Sequence, residues 1–225
     1  MEQPDLEAIV EKALALARKR GATAAEAGVG ASSGLSVTVR LGEVETLEYQ
    51  RDRSLGVTVY VGKRKGSAST ANLTPSAVEE TVTKALSIAS FTAEDEFSGL
   101  PDAELMARES PDLDLCHPWD IEAPEAIALA RRCEAAGLAV DPRIRNSEGA
   151  SVATHRKLRV FGNSHGFIGG YPSTSHTVSC VVLGQANGDM QRDFWYTAAR
   201  DWRELEDVEE VGRRAAGRAI GRLGA

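Results

Sequence analysis

Cysteine is scarce: Cys116, Cys133 and Cys180 are the only three in 225 residues, with no C-x-x-C among them. That excludes a disulfide framework and a cysteine-based zinc motif, and predicts small buried thiols in a reducing cytoplasm. No stretch approaches the roughly 18 consecutive apolar residues of a membrane-spanning helix. The first segment, "MEQPDLEAIVEKALALARKRG", is acidic first and basic last, unlike a secretory leader, so the expected location is cytoplasmic, away from membranes. Basic residues are not in excess: the formal charge is −7, which disfavours phosphate-backbone binding and argues against a nucleic-acid partner. H-E-x-x-H and the kinase motif set are both missing. Aromatic residues make up only 5% of the chain, so its core must rest on aliphatic and small side chains.

What is present is patterned. Leu6, Ile9, Val10, Ala13, Leu14 and Ala17 recur at helical spacing, with Glu7 and Glu11 early and Arg18–Arg20 late, so residues 4–20 read as a helix ending near Gly21. "GLSVTVRLGEVETLEYQ" and "SLGVTVYVGKRKGSAST" alternate in strand fashion, predicting about four antiparallel strands. Thr74 and Pro75 open a second helix over Val78, Val82, Ala85, Leu86 and Ala89. Residues 93–119 are acidic, contain three prolines and show no period, which marks a linker or arm. A third helix is expected from about Ile121 to Ala139 and a last one from about Arg203 to Leu223. Between them, "NSEG" at 146–149, "NSHG" at 163–166 and "NG" at 187–188 read as turns between strands. The prediction is an α+β protein of two helix–antiparallel β-meander–helix regions, 1–92 and 120–225. "ALALARKRGATAAEA" and "AIALARRCEAAGLAV" are alike enough to raise an internal duplication.

Three of the four histidines, His155, His165 and His176, fall within 22 residues. A meander turning at 163–166 brings His155 close to Thr174 and His176. It leaves His165 roughly 30 Å away along strands rising about 3.3 Å per residue. One ion cannot collect all three with zinc–nitrogen bonds of about 2.1 Å. No ligand completes a His155–His176 pair, so the expectation is no metal and no catalytic residue in this chain. Cys116 and His117 are sequence neighbours ahead of Pro118 and do not form a nucleophile–base pair. "GVTVYVGKR" misses the phosphate-loop spacing. Arg51 and Arg53 flank Asp52 and fit either a self-paired surface network or a fork for carboxylates. Together with His165 and with Tyr171 in the glycine-rich "FIGGYPS", they are the candidate peptide or partner contacts.

Longer strings carry more information than these motifs. "LEYQRDRSLGVTVYVGKRKGSAST", "RNSEGASVATHRKLRVFGNSHGFIGGYPSTSHTVSCVVLG" and "MQRDFWYTAARD" resemble the TldD/PmbA family, nearer its PmbA (TldE) branch, over about residues 6–225. The resemblance implies the amino-terminal half of a longer subunit, without the carboxy-terminal β-rich family region. It further implies a cytoplasmic two-subunit peptidase acting on peptides and unfolded proteins. There a TldD-type partner carries zinc through H-E-x-x-x-H, a motif with no match here, so no cofactor is assigned to this chain. The competing expectation is a non-catalytic binding protein that modulates DNA gyrase or a similar partner.

Overall fold

A computed structural model describes residues 2–224. Its first helix, α1 (Gln3–Lys19), starts with Pro4 and a Glu2 N–H donating to Asp5 Oδ2 at 2.8 Å, and buries Leu6, Val10, Ala13 and Ala17. Gly21, at φ +98°, takes the left-handed position after it. Three strands follow: β1 (Ala24–Arg40), β2 (Glu43–Val61) and β3 (Arg64–Thr70). Then come α2 (Pro75–Phe91), α3 (Ala123–Leu138), β4 (Ile144–Asn163), β5 (Ile168–Ala186), β6 (Asp189–Ala199) and α4 (Val208–Gly221). The fold is α+β: four helices and a six-stranded antiparallel sheet ordered β3-β2-β1-β4-β5-β6.

Three expectations need correction. The first β region holds three strands rather than four, because β2 runs unbroken through the Arg51–Ser54 segment. β1 also starts ten residues before Gly34, through "AAEAGVGASS", where Ala25, Ala27 and Val29 alternate into the core with weak strand-forming residues. "NSEG" is no turn. It lies inside β4, where Ser147 Oγ accepts from Gly149 N–H at 2.8 Å and donates to the Val181 carbonyl at 3.1 Å, absorbing the irregularity that Gly149 (φ +112°) introduces. Finally, α4 begins at Val208 rather than near Arg203. Asp207 caps it by accepting from Glu209 and Glu210 N–H, and Arg203 sits in a separate turn of 3₁₀ helix, Trp202–Glu204. "NSHG" and Asn187–Gly188 are turns as expected, Asn187 at φ +51° and Gly188 at +82° matching a tight hairpin.

The chain forms two compact units whose segments interleave along the sequence. One comprises residues up to Ser32 with Arg51–Asp114 and Lys157–Pro172; the other comprises Ser33–Gln50, Leu115–Arg156 and residues from Ser173 onward. In the first, α1 and α2 cover a core of Leu6, Val10, Leu55, Val57, Val59 and Val82. Gly66 of β3 lies directly under α2, where a methyl group would overlap the Ala85 carbonyl. In the second, α3 and α4 cover Val37, Val39, Val152, Val178, Cys180 and Val182. Gly137 and Gly212 bring those two helices into backbone contact. Cys133 and Cys180 meet in that core. Hydrogen bonding to Cys180 and then burial push the Cys133 thiol far above its ordinary range, so it stays protonated. In this unit the turn at Leu41–Gly42, between β1 and β2, is held by α3. Glu134, buried, accepts from both Leu41 and Gly42 N–H at 2.8 Å, and Arg131 Nε donates to the Gly42 carbonyl at 2.8 Å.

Candidate functional site

In the first unit, alternation along β1 sends Ala25, Ala27 and Val29 to the helix side and leaves Glu26, Gly28 and Gly30 on the other face. Gly56 of β2 and Phe161 of β4 join that face, and a groove of about 640 Å³ results. Gly28, Gly30 and Gly56 contribute bare backbone to its lining, together with the cations Arg53, Lys157 and Arg159 and the carboxylates Glu26 and Asp52. Elsewhere in the molecule glycine is demanded by packing, as at Gly66, Gly170 and Gly212, where an added Cβ would run into backbone. In the groove it is not. A Cβ at Gly30 would meet Ser54 Oγ at 3.6 Å and the Leu158 carbonyl at 3.8 Å, one at Gly28 only the Val160 carbonyl at 4.0 Å, and one at Gly56 nothing. The three glycines leave open a surface that the fold would let alanine fill. The lining contains no histidine or cysteine, so the groove offers chemistry of binding: accessible main chain, the hydroxyls of Ser54 and Thr58, and a cationic rim.

The sequence-derived candidates scatter. Arg53 lines this groove, while Arg51 is exposed on the same strand outside its lining. His165 sits in the β4–β5 turn, its main-chain N–H bonded to Asn163 Oδ1 (2.9 Å) and its Nε2 3.1 Å from the Pro101 carbonyl. It lines a different hollow of about 650 Å³ with Phe167 and residues of the 102–108 segment. Tyr171, 41% exposed, lines neither. The alternation in "AEAGVG" was the available signal for the groove floor, masked because alanine and glycine are poor strand markers.

His155 and His176 part company. The His155 ring lies over Gly34, where a methyl group would overlap its Nδ1. His176 is fully buried, with Nδ1 2.9 Å from Thr154 Oγ1 and Nε2 2.9 Å from the His117 carbonyl. The carbonyl can only accept, so Nε2 donates to it. Trp119 packs edge-on to that ring at 5.7 Å and stacks on Trp202 at 5.7 Å. His176 therefore organises a polar–aromatic cluster in the second unit. Asp201 caps the turn that carries Trp202. Its carboxyl is pulled down to about 2, first by the Arg203 side chain, then by the Arg203 main-chain N–H, with a small contribution from His117 3.8 Å away.

Residues 25–89 match the family model for PmbA/TldA metallopeptidase domain 1, and residues 116–223 match its central domain. The chain belongs to the TldD/PmbA family. It is 47% identical over 218 residues to a protein named Metalloprotease PmbA from Escherichia coli O157:H7, covering 97% of this chain and 48% of that one. It is 41% identical over 222 residues to a Metalloprotease PmbA homolog from Haemophilus influenzae, covering 99% and 49%. The chain thus spans about half the length of the curated relatives it matches. Its fold matches that of a proposed modulator of DNA gyrase from Bacteroides thetaiotaomicron. The TM-score there is 0.91 at 24% identity, over 100% of this chain and 51% of that one. TldE from Thermococcus kodakarensis matches with a TM-score of 0.75 at 19% identity, over 94% and 47%. The family name implies a metal, and the residues here do not fit one: among the described residues no three His, Cys, Asp or Glu side chains gather as a ligand set. No described helix is long and apolar enough to cross a membrane.

Proposed function

We propose that this chain serves as a PmbA/TldE-like, non-zinc subunit of a cytoplasmic TldD–TldE-type metallopeptidase that degrades or processes peptides and unfolded proteins. The zinc would reside on a TldD-type partner, and this chain would hold substrate. One observation carries the substrate role: a groove kept open by three glycines that packing does not require, in a chain 47% identical to a protein named as a metalloprotease. An extended peptide can lie against main chain there with little regard to its side chains, while Arg53, Lys157 and Arg159 attract its carboxylates. Arg51, His165 and Tyr171 are assigned as outlying contacts of the same substrate or of the partner.

The test mixes the natural full-length protein with a TldD-type subunit and follows casein or an unfolded peptide. Zinc-dependent cleavage is expected only in the mixture. A Gly30→Ala/Gly56→Ala variant is expected to fold with unchanged or slightly higher stability, because the methyl group at 30 meets ordinary contacts and the one at 56 open space. It should raise KM for unfolded substrate by about tenfold, the value of roughly 1.4 kcal/mol of lost binding. Cleavage by the TldD-type subunit alone at the full rate would refute the subunit role. Unchanged KM in the variant would refute the groove. A stable complex with gyrase and no cleavage in the mixture would favour the binding-protein reading instead.

A further inference from the structure

Glycine inside a strand marks a bulge, a bend or a place where another group comes close to the backbone. In the groove of the first unit, a Cβ on Gly30 would lie 3.6 Å from Ser54 Oγ, so these two are cross-strand neighbours. Two residues along the antiparallel strands, Gly28 falls beside Gly56. The side chains these glycines lack leave a flat patch about 7 Å long and about 5 Å wide, the dimensions of strand rise and spacing. On the β4 side, Lys157, Arg159 and Phe161 line the groove at alternate positions. A Cβ on Gly30 would meet the Leu158 carbonyl and one on Gly28 the Val160 carbonyl, so Arg159 stands level with the patch and Phe161 at its end. Within a sheet, an aromatic ring on the neighbouring strand can cover such a glycine. Among the described residues Phe161 is the only aromatic one in the lining, and it turns elsewhere. Its ring packs on Phe167 with centroids 6.5 Å apart and a 41° tilt, and none of its atoms comes within 4 Å of a Cβ on Gly28.

We propose that this patch is the subsite for an aromatic side chain of the substrate, with Arg159 and Lys157 taking a carboxylate next to that side chain. The inference rests on the groove's holding substrate and adds what the groove selects. A planar ring can lie flat on backbone that carries no Cβ, where a branched aliphatic side chain touches only through a methyl group. Phe161, braced by Phe167, offers the ring an aromatic neighbour for offset or edge-on packing, and Arg159 brings a guanidinium for cation–π contact. Charge decides which side the anion takes. Glu26 lies two residues before Gly28 on β1 and Asp52 two before Ser54 on β2, so both ends of the patch on those strands repel a carboxylate. The β4 side carries two cations and no acid in the lining, and a guanidinium there can hold both carboxylate oxygens. The chemistry selected is therefore an aromatic residue with a carboxylate beside it, either the side chain of an adjacent acidic residue or the free end of a chain that finishes in the aromatic residue.

The test is titration calorimetry of the natural full-length protein, without a TldD-type subunit, against short peptides blocked at both ends. Their central pair is Asp-Tyr, Asp-Leu or Asn-Tyr. The Asp-Tyr peptide should bind about tenfold more tightly than Asp-Leu, through the ring contacts, and about tenfold more tightly than Asn-Tyr, through the carboxylate. A further peptide that carries Asn-Tyr at an unblocked carboxy terminus separates the two sources of the anion: binding equal to that of Asp-Tyr assigns the chain end, and binding equal to that of blocked Asn-Tyr assigns the acidic side chain. Gly56→Val, where an added Cβ meets nothing within 4 Å, should abolish the preference for Tyr over Leu and keep that for Asp over Asn. Arg159→Gln should abolish the preference for Asp and leave part of that for Tyr. Circular dichroism checks that both variants fold. Equal binding of the Tyr and Leu peptides, or a Tyr preference that survives Gly56→Val, would overturn the proposal. If Gly30→Ala/Gly56→Ala raises KM while Tyr and Leu peptides bind alike, the groove still holds substrate and only its aromatic selectivity falls. An unchanged KM in that variant removes both.

Discussion

Single residues carry more of this fold than their number implies, and Glu134 is the clearest case. A carboxylate buried in a helix accepts two main-chain N–H groups from a turn more than 90 positions away in sequence. Replacing it by alanine strands both donors, at about 1–3 kcal/mol each when buried and less when the turn reaches water. Glu134→Ala should therefore lower unfolding free energy by about 3 kcal/mol in urea titration, and Glu134→Gln, which retains one acceptor, by about half that. Asp201 supplies a second expectation. Its folded pKa of about 2 lies below its ordinary value of 3.8, so its contribution to stability is complete above about pH 4 and is lost as pH falls through 2. The side-chain carboxyl resonance should titrate with a midpoint of about 2. Arg203→Ala should move that midpoint up towards the ordinary value, with loosening of the Trp119–Trp202 stack beginning at correspondingly higher pH. Neither role was legible in the sequence. Glu134 sits mid-helix among ordinary solvated charges, and only the folded turn discloses its partners.

At the scale of elements, helix periodicity and dipole-matched charges located all four helices within a few residues, because α1, α2 and α3 follow local rules. The start of α4 was misplaced because Glu204 and Glu206 extend the acidic pattern ahead of the true cap at Asp207. Strands were legible where valines alternate and illegible where small residues do the same work, as in the first ten positions of β1. The α3–α4 crossing shows how small residues set helix spacing. A methyl group on Gly212 would overlap the Cys133 carbonyl, whereas Gly217, on the same helix, faces open space. Gly212→Ala should destabilise by about 1–3 kcal/mol as the helices are forced apart, despite gaining helix propensity. Gly217→Ala should stabilise by up to about 1 kcal/mol. Paired urea denaturation of the two variants checks the contrast, and a shared sign would contradict the packing described.

Across the whole molecule, the family and the α+β class could be read from the chain, because ordered strings and alternating patterns are themselves sequence properties. The groove could not, since it arises only when β1, β2 and β4 lie side by side and Gly28 and Gly30 of β1 and Gly56 of β2 come to one face. The repeated order helix, three strands, helix is plain in the structure. The sheet order β3-β2-β1-β4-β5-β6 is symmetric about its centre, with each strand's counterpart in the mirrored place. That arrangement supports the duplication suggested by "ALALARKRG" and "AIALARRCE". The α3 clamp on the hairpin tip also fixes where β2 begins. With Glu134 and Arg131 gripping the turn from behind, the strand leaves its origin already aimed. The loss of freedom at that hairpin tip is met once, during folding, by contacts from a distant part of the chain.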